Sequence, residues 1–150
     1  MTRGMRILVT GSSGHFAAAL LPALCALHEV REVRGIDFRP PRFRHEKFRA
    51  VVRDIRDPAL IDAMTGCDAL VHLAFVVLRG RTSERAMREI NISGTGHLFA
   101  TARRCGLPSG QQEDRLVQAN LLPIHVVVGS VNSLSDAHFG RKDEWVSCFF

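Results

Sequence analysis

The sequence predicts an α/β fold built on an open, parallel sheet with helices on both faces, and three observations carry that expectation. Short apolar, β-branched runs alternate with stretches of helical spacing in the order β-α-β-β-α-β-α between residues 6 and 105. The first run ends in the glycine-containing stretch V-T-G-S-S-G-H-F-A at 9–17, set between a strand and a helix. An acidic residue, Asp37, closes the second run.

Each element has its own justification. R-I-L-V-T at 6–10 is a continuous apolar run that stops at glycine, the pattern of a strand buried on both faces. Residues 14–28 follow with helical spacing through Phe16, Leu20, Leu24 and Leu27, interrupted by Pro22, which threatens an unbroken helix. V-R-E-V-R-G-I-D at 30–37 is the second strand, ended by Pro40-Pro41. After a charged loop at 42–47 come a strand at Phe48–Arg53 and a short helix at Pro58–Met64. Asp57 is its expected N-cap and Pro58 its first residue. A-L-V-H-L-A at 69–74 is the fourth strand. Residues 84–105 form the longest helical pattern, with Met87, Ile90, Gly94, Leu98, Thr101 and Cys105 on one face. Beyond Gly106 the regularity fails for about 18 residues, after which H-V-V-V-G-S at 125–130 reads as a further strand.

Composition bounds the rest. With 150 residues, 46% hydrophobic and 23% charged, the chain has room for one globular domain and is unlike a disordered or collagen-like polypeptide. The formal charge of +5 rests on arginine, because only two of the 20 basic residues are lysine. Residues 1–106 hold 17 basic against 10 acidic residues and residues 107–150 hold 3 against 5, so the two parts differ in character. The arginines are dispersed and not interleaved with aromatics, which argues against a nucleic-acid surface. Cys25, Cys67, Cys105 and Cys148 form no C-x-x-C pair, so no metal site is expected and the thiols read as reduced, in a cytoplasmic protein. The polar T-G-S-S-G-H interrupts what would otherwise resemble a signal peptide, and no apolar run has the length of a membrane span.

The chemistry is concentrated at the glycine stretch. Gly11 permits the tight turn, Gly14 allows a pyrophosphate close to the backbone, and Ala17 is small where helix and strand pack. Helix-start N–H groups carry the partial positive charge that holds phosphate oxygens. A plain strand-to-helix turn would need the same glycines, but Asp37 lies 20 positions beyond Ala17, the spacing at which a carboxylate reaches the adenosine ribose of a dinucleotide. Taken alone, Asp37 reads equally as a strand-terminal turn residue. Asp54 falls on the same carboxyl edge, at the end of the third strand, where adenine would lie. Arg39, Arg42 and Arg44 form a basic loop that reads either as an adenine-stacking set or as a solvated face. His72, alone in an apolar strand, reads first as a satisfied core residue, and Asn91 as a polar residue on the solvent side of its helix. These marks make residues 1–150 a Rossmann-type, NAD(P)-binding fold.

The segments T-G-S-S-G-H-F-A, G-I-D-F-R, R-D-I-R-D, V-H-L-A and N-I-S-G-T-G-H-L-F-A-T-A occur in order over residues 5–106. Together they resemble the extended short-chain dehydrogenase/reductase family, also called the NAD-dependent epimerase/dehydratase family. The resemblance implies NAD as cofactor in preference to NADP. It implies a pyrophosphate at Gly11 and Gly14, with Ser12, Ser13, His15 and Phe16 in the same cofactor-binding set. It further implies the adenosine ribose at Asp37 with Arg39 beside it, adenine flanked by Asp54 and Ile55, and His72, Leu73 and Ala74 beneath the nicotinamide ribose. Asn91 matches a position that is mostly structural in that family. A homodimer and a small-molecule substrate are compatible with the resemblance, which names neither.

The resemblance also has two breaks. The family places a serine or threonine at the end of its fifth strand, matched here by Ser130, which serves equally as a strand-ending turn residue. Beyond it the family has a Y-x-x-x-K helix whose tyrosine is the general acid/base, and this sequence contains no tyrosine. Some fifteen residues between Gly106 and His125 exceed what the family needs to enter that strand, as an insertion or as a departure from the family's path. The sequence therefore reads as the cofactor half of an epimerase, dehydratase or oxidoreductase, truncated before its substrate domain and without independent turnover. The competing reading is a non-catalytic dinucleotide-sensing module.

Overall fold

The computed structural model describes residues 4–76 and 83–107. The expected strand at 125–130, Ser130, Cys148 and the irregular stretch after residue 107 lie outside the described residues.

Four strands, β1 (Met5–Thr10), β2 (Val30–Asp37), β3 (Phe48–Val52) and β4 (Ala69–His72), form one sheet in the order β3-β2-β1-β4. Every pairing is parallel. The chain moves outward from β1 through β2 to β3, then crosses to the opposite side of β1 for β4. This reversal opens a crevice between the carboxyl ends of β1 and β4, where ligands of open α/β sheets bind. The sheet is the Rossmann-type arrangement expected. β3 and β4 are shorter than the sequence suggests, ending at Val52 and His72, while β2 has the expected bounds and β1 starts one residue earlier, at Met5. Leu73 and Ala74 leave the ladder and pass over the end of β1.

Burial follows the two faces. On one face α1 (His15–Ala26) packs against Ile7, Val9, Val30, Val33, Phe48 and Val71. On the other, α2 (Leu60–Met64) and α4 (Thr95–Arg104) enclose Leu8, Ile36 and Leu70. The buried stripe of α1 is Ala17, Leu21, Leu24 and Cys25, rotated from the expected one. Phe16 faces outward, because Ala17 fits close to the sheet where a larger side chain would not. Pro22 leaves α1 unbroken. Pro22 and Ala18, whose carbonyl loses its partner, are both solvent-exposed, so water can satisfy that group.

Two local predictions are corrected. Asp57 caps the turn ahead of α2, its Oδ1 accepting from the Ala59 amide at 2.8 Å, and the helix itself begins at Leu60. The long helical pattern at 84–105 is three pieces: α3 (Glu84–Arg88), a π-turn at Glu89–Gly94, and α4. Of the expected apolar face, Gly94, Leu98 and Thr101 are buried, while Met87, Ile90 and Cys105 are only half-buried. Ser83 Oγ caps α3 by accepting from the Ala86 amide. Gly106, at φ +68°, ends α4 as the left-handed residue of a Schellman-type turn, with the Leu107 amide donating to the Ala102 carbonyl at 3.1 Å.

At the opposite, amino edge of the sheet, Glu32 accepts from Arg6 Nε at 3.0 Å and Arg34 Nε at 2.6 Å. Arg34 also donates to the carbonyls of Ala63 and Thr65, tying the end of α2 to the sheet. Burial raises the Glu32 pKa, but Arg34 and Arg6 more than offset it, and the carboxyl lies below its ordinary value.

Candidate functional site

The candidate site is the carboxyl edge of the sheet, where the loop after β1 meets the ends of β2 and β4. Gly11 adopts φ +71° there, and a Cβ on it would stand 2.7 Å from both the Ala74 amide nitrogen and the Leu73 carbonyl carbon. Only glycine lets the loop pass so close to residues 73–74.

The amides of this loop have distinct fates. Ser12 N–H donates to the Ile36 carbonyl, Ser13 N–H to Asp37 Oδ2 at 3.0 Å, and Gly14 N–H to the Gly11 carbonyl. The donors left without intrahelical partners are those of the first turn of α1, beginning with His15 and Phe16. Both side chains are exposed, and the backbone N–H groups of these two residues are the donors the helix start offers to an anion. Ser12 is a different case. Its side chain is buried against Gly35 of β2, whose Cβ would lie 2.7 Å from that of Ser12, and its hydroxyl has no hydrogen-bond partner among the described residues.

Asp37 closes β2 with its carboxylate buried. Besides Ser13, it accepts from the Arg39 amide at 2.9 Å, and the Arg39 guanidinium lies 3.8 Å away. The Ser13 hydroxyl donates to the Arg39 carbonyl at 2.7 Å, so glycine loop and post-β2 turn are stitched together through Asp37 and Ser13. A carboxylate offers about four acceptor positions, which leaves capacity for hydroxyl donors. The Arg39 guanidinium sits 5.1 Å from the centre of the exposed Phe38 ring. Arg44 is turned to the Pro41 and Phe43 carbonyls.

Asp54 lies past the end of β3, where the side chain and amide of Arg56 bind it, at 2.7 Å for the closest guanidinium contact. The Arg56 hydrogen bond holds its carboxyl below the ordinary value, against the opposing effect of burial. Ile55 is buried beside it and contacts the π-turn, since a Cβ on Gly94 would meet Ile55 Cδ1 at 2.9 Å. Gly11, Ser13, Asp37, Leu73 and Ala74 are thus gathered around one loop, with Asp54 and Ile55 on the neighbouring turn of the same edge.

His72 is buried at the end of β4, with Nδ1 2.6 Å from Thr10 Oγ1 and Nε2 3.0 Å from Thr95 Oγ1. Thr10 Oγ1 also accepts from the Ala74 amide at 3.3 Å. One consistent proton arrangement has the Thr10 hydroxyl donating to Nδ1 and Nε2–H donating to Thr95. The ring stacks edge-on to Phe99. This is the satisfied core histidine that the apolar strand suggests.

Asn91 departs from its expected solvent-facing position. Its Oδ1 accepts from the Val76 amide at 2.9 Å and its Nδ2 donates to the Val76 carbonyl at 2.7 Å. No sequence spacing pairs positions 76 and 91, so only the family correspondence points to Asn91. The thiols offer little chemistry: Cys25, Cys67 and Cys105 are free, and burial pushes Cys67 up to about 11. Among the described residues no three His, Cys, Asp or Glu side chains converge on a metal-sized site, and no helix is long and apolar enough to cross a membrane.

Comparison with known proteins adds to this geometry. Residues 8–109 match the 3-beta hydroxysteroid dehydrogenase/isomerase family. An uncharacterized protein of Mycobacterium tuberculosis is 33% identical over 97% of this chain, which spans 16% of that protein. The 3-beta-hydroxysteroid dehydrogenase of Mycolicibacterium neoaurum is 33% identical over 68% of the chain, which spans 30% of the enzyme. Among solved structures, a short-chain dehydrogenase/reductase superfamily protein from Agrobacterium tumefaciens with bound NAD superposes with a TM-score of 0.59 at 33% identity. That match covers 69% of this chain and 30% of the other. The family match ends at residue 109, close to the Gly106 break in sequence regularity, whereas the mycobacterial relative continues across nearly the whole chain.

Proposed function

We propose, from the premise that this chain belongs to the 3-beta hydroxysteroid dehydrogenase/isomerase family, that residues 1–150 act as one dinucleotide-binding unit whose ligand is NAD. The observation that carries the reading is the pairing of the Gly11 close approach with the buried Asp37 carboxylate at the end of β2, which the Ser13 amide ties to the Gly11 loop. The residues present fit the group. The first-turn amides of α1 offer donors to a pyrophosphate, and the helix's partial positive charge adds to them. Asp37 offers acceptor positions to ribose hydroxyls, with Ser13 and Arg39 fixing its orientation. Asp54 and Ile55 flank the adenine, while Leu73 and Ala74 floor the nicotinamide ribose.

NAD, when bound, supplies the hydride acceptor of an oxidoreductase or epimerase. This chain's own residues bind and orient it. None of the 150 residues is a tyrosine, so the family's tyrosine proton carrier is not among them. Ser130 is proposed to hydrogen-bond a substrate oxygen, without a base to make it a proton carrier. The reading is therefore of a cofactor-binding half with no turnover of its own, and a cytoplasmic location is proposed with it from the free thiols among the described residues. A dinucleotide-sensing module is the second reading, favoured by the same lack of tyrosine.

Backbone amide shifts measured during an NAD titration of the isotope-labelled full chain test the site. Shifts concentrated at residues 11–16, 37–39, 54–55 and 73–74 are expected. Saturable shifts that avoid Gly11 and Asp37 would refute it.

A further inference from the structure

The segment leaving β4 is fastened at both ends, and the second fastening has no part in the sheet or the core. At its start the Leu73 amide donates to the Thr10 carbonyl and the Ala74 amide to Thr10 Oγ1. At its far end the carboxamide of Asn91 takes both backbone groups of Val76. Between these points Phe75 is left exposed.

The clamp is delivered by the π-turn, which spans Glu89–Gly94 and carries Asn91 within it. Such turns are uncommon and concentrate at functional sites, because the inserted residue redirects side chains that a regular helix would aim elsewhere. The turn is itself anchored on two sides. Gly94 packs on the Ile55 side chain, where a Cβ would lie 2.9 Å from Cδ1, and Thr95, one residue later, reaches Nε2 of His72 at 3.0 Å. One helical irregularity thus sets the backbone of residues 73–76 relative to both β4 and the turn after β3.

We infer that Asn91 is a positioning residue for the nicotinamide end of the dinucleotide, acting through the backbone of Val76 to hold residues 73–76 against Gly11. The inference rests on the reading of this edge as an NAD site and deepens it. The adenine end depends on Asp37, Asp54 and Ile55, none of which is hydrogen-bonded to Asn91. Loss of the clamp therefore acts on one half of the ligand and spares the other.

The experiment compares the full-length wild-type chain with Asn91→Ala and Asn91→Asp. It uses titration calorimetry with NAD and with ADP, which lacks the nicotinamide riboside, together with amide exchange at Val76. In Asn91→Ala, NAD affinity falls about tenfold, the scale of a lost hydrogen-bonded contact. ADP affinity stays within about twofold, and the Val76 amide exchanges at least about tenfold faster while Leu8 and Val9 keep wild-type protection. Asn91→Asp keeps the acceptor for the Val76 amide and so retains part of its protection. Equal losses for NAD and ADP, unchanged NAD affinity, or unchanged Val76 exchange in Asn91→Ala would each overturn the inference. A wild-type chain that binds ADP but gains nothing from the nicotinamide half overturns it as well. Failure of the wild type to bind either ligand overturns the NAD reading first, and the inference with it.

Discussion

Replacing Gly11 by alanine strains two separate features of the site. The residue sits at φ +71°, a conformation that costs a non-glycine residue about 1–2 kcal/mol. The new Cβ would lie 2.7 Å from the Ala74 nitrogen and the Leu73 carbonyl carbon, and 2.8 Å from the Leu73 oxygen. All three are backbone atoms, so no side chain can rotate away. Relief must come from separating the β1 loop from residues 73–74, an overpacking cost of about 1–3 kcal/mol. Alanine's stiffer unfolded chain returns about 0.4–1 kcal/mol. The net expectation is a loss of about 1–5 kcal/mol, set against the 5–15 kcal/mol typical of a domain. Urea unfolding followed by circular dichroism reads this as a lower midpoint with an unchanged slope. A change below about 0.5 kcal/mol would show that the close approach and the strained turn do not constrain this loop.

Three further outcomes follow from the same geometry. Ser12→Ala removes a buried hydroxyl without a hydrogen-bond partner among the described residues, and is expected to raise stability by about 1 kcal/mol in the same urea assay, whereas a loss of that size would mean the hydroxyl is satisfied. Glu32 has a folded-state pKa below its unfolded value, so its contribution is present above the ordinary carboxylate range and is lost as pH falls through the folded value. Glu32→Gln should therefore flatten the decline in stability below about pH 4.5, and an acid limb as steep as that of the wild type would contradict the Arg6–Glu32–Arg34 account. Finally, the 150-residue chain alone, incubated with NAD or NADH and panels of nucleotide sugars, alcohols and ketones, is expected to give no cofactor-dependent absorbance change. Steady turnover abolished by Ser130→Ala would overturn that expectation.

What could be read from sequence was local. V-T-G-S-S-G marked the loop because glycine has few substitutes at a positive φ, and Asp37 stood out because its distance from the loop is set by one helix and one strand. Continuous apolar runs located β1 and β4, which are buried on both faces over most of their length. By contrast, β2 and β3 carry Arg31, Glu32, Arg34 and Arg49, and were legible from their β-branched residues and their place in the alternation of elements. The failures have a common cause in long-range packing. Phe16 looks like part of the buried stripe of α1, yet the smaller Ala17 occupies it, because the space beneath is set by the sheet rather than by periodicity. The π-turn is invisible to a 3.6-residue count, because Gly94, Leu98 and Thr101 stay on one face with or without it. Asn91 and Val76 are fifteen residues apart with no periodic relation, so their mutual hydrogen bonds appear only in three dimensions. Ser12 sits in the glycine stretch but turns inward to Gly35, a direction that the loop sequence does not encode.

The central claim is that this edge binds NAD with Asp37 on the adenosine ribose, and the most direct measurement is titration calorimetry of the full chain with NAD and NADP, repeated on Asp37→Ala. A carboxylate facing a 2′-phosphate meets like-charge repulsion in place of hydrogen bonds to ribose hydroxyls, a difference of about 1–3 kcal/mol that the neighbouring Arg39 guanidinium narrows. The account predicts NAD binding that is about tenfold tighter than NADP binding in the wild type, with that preference lost in Asp37→Ala. Equal or tighter binding of NADP by the wild type would contradict it.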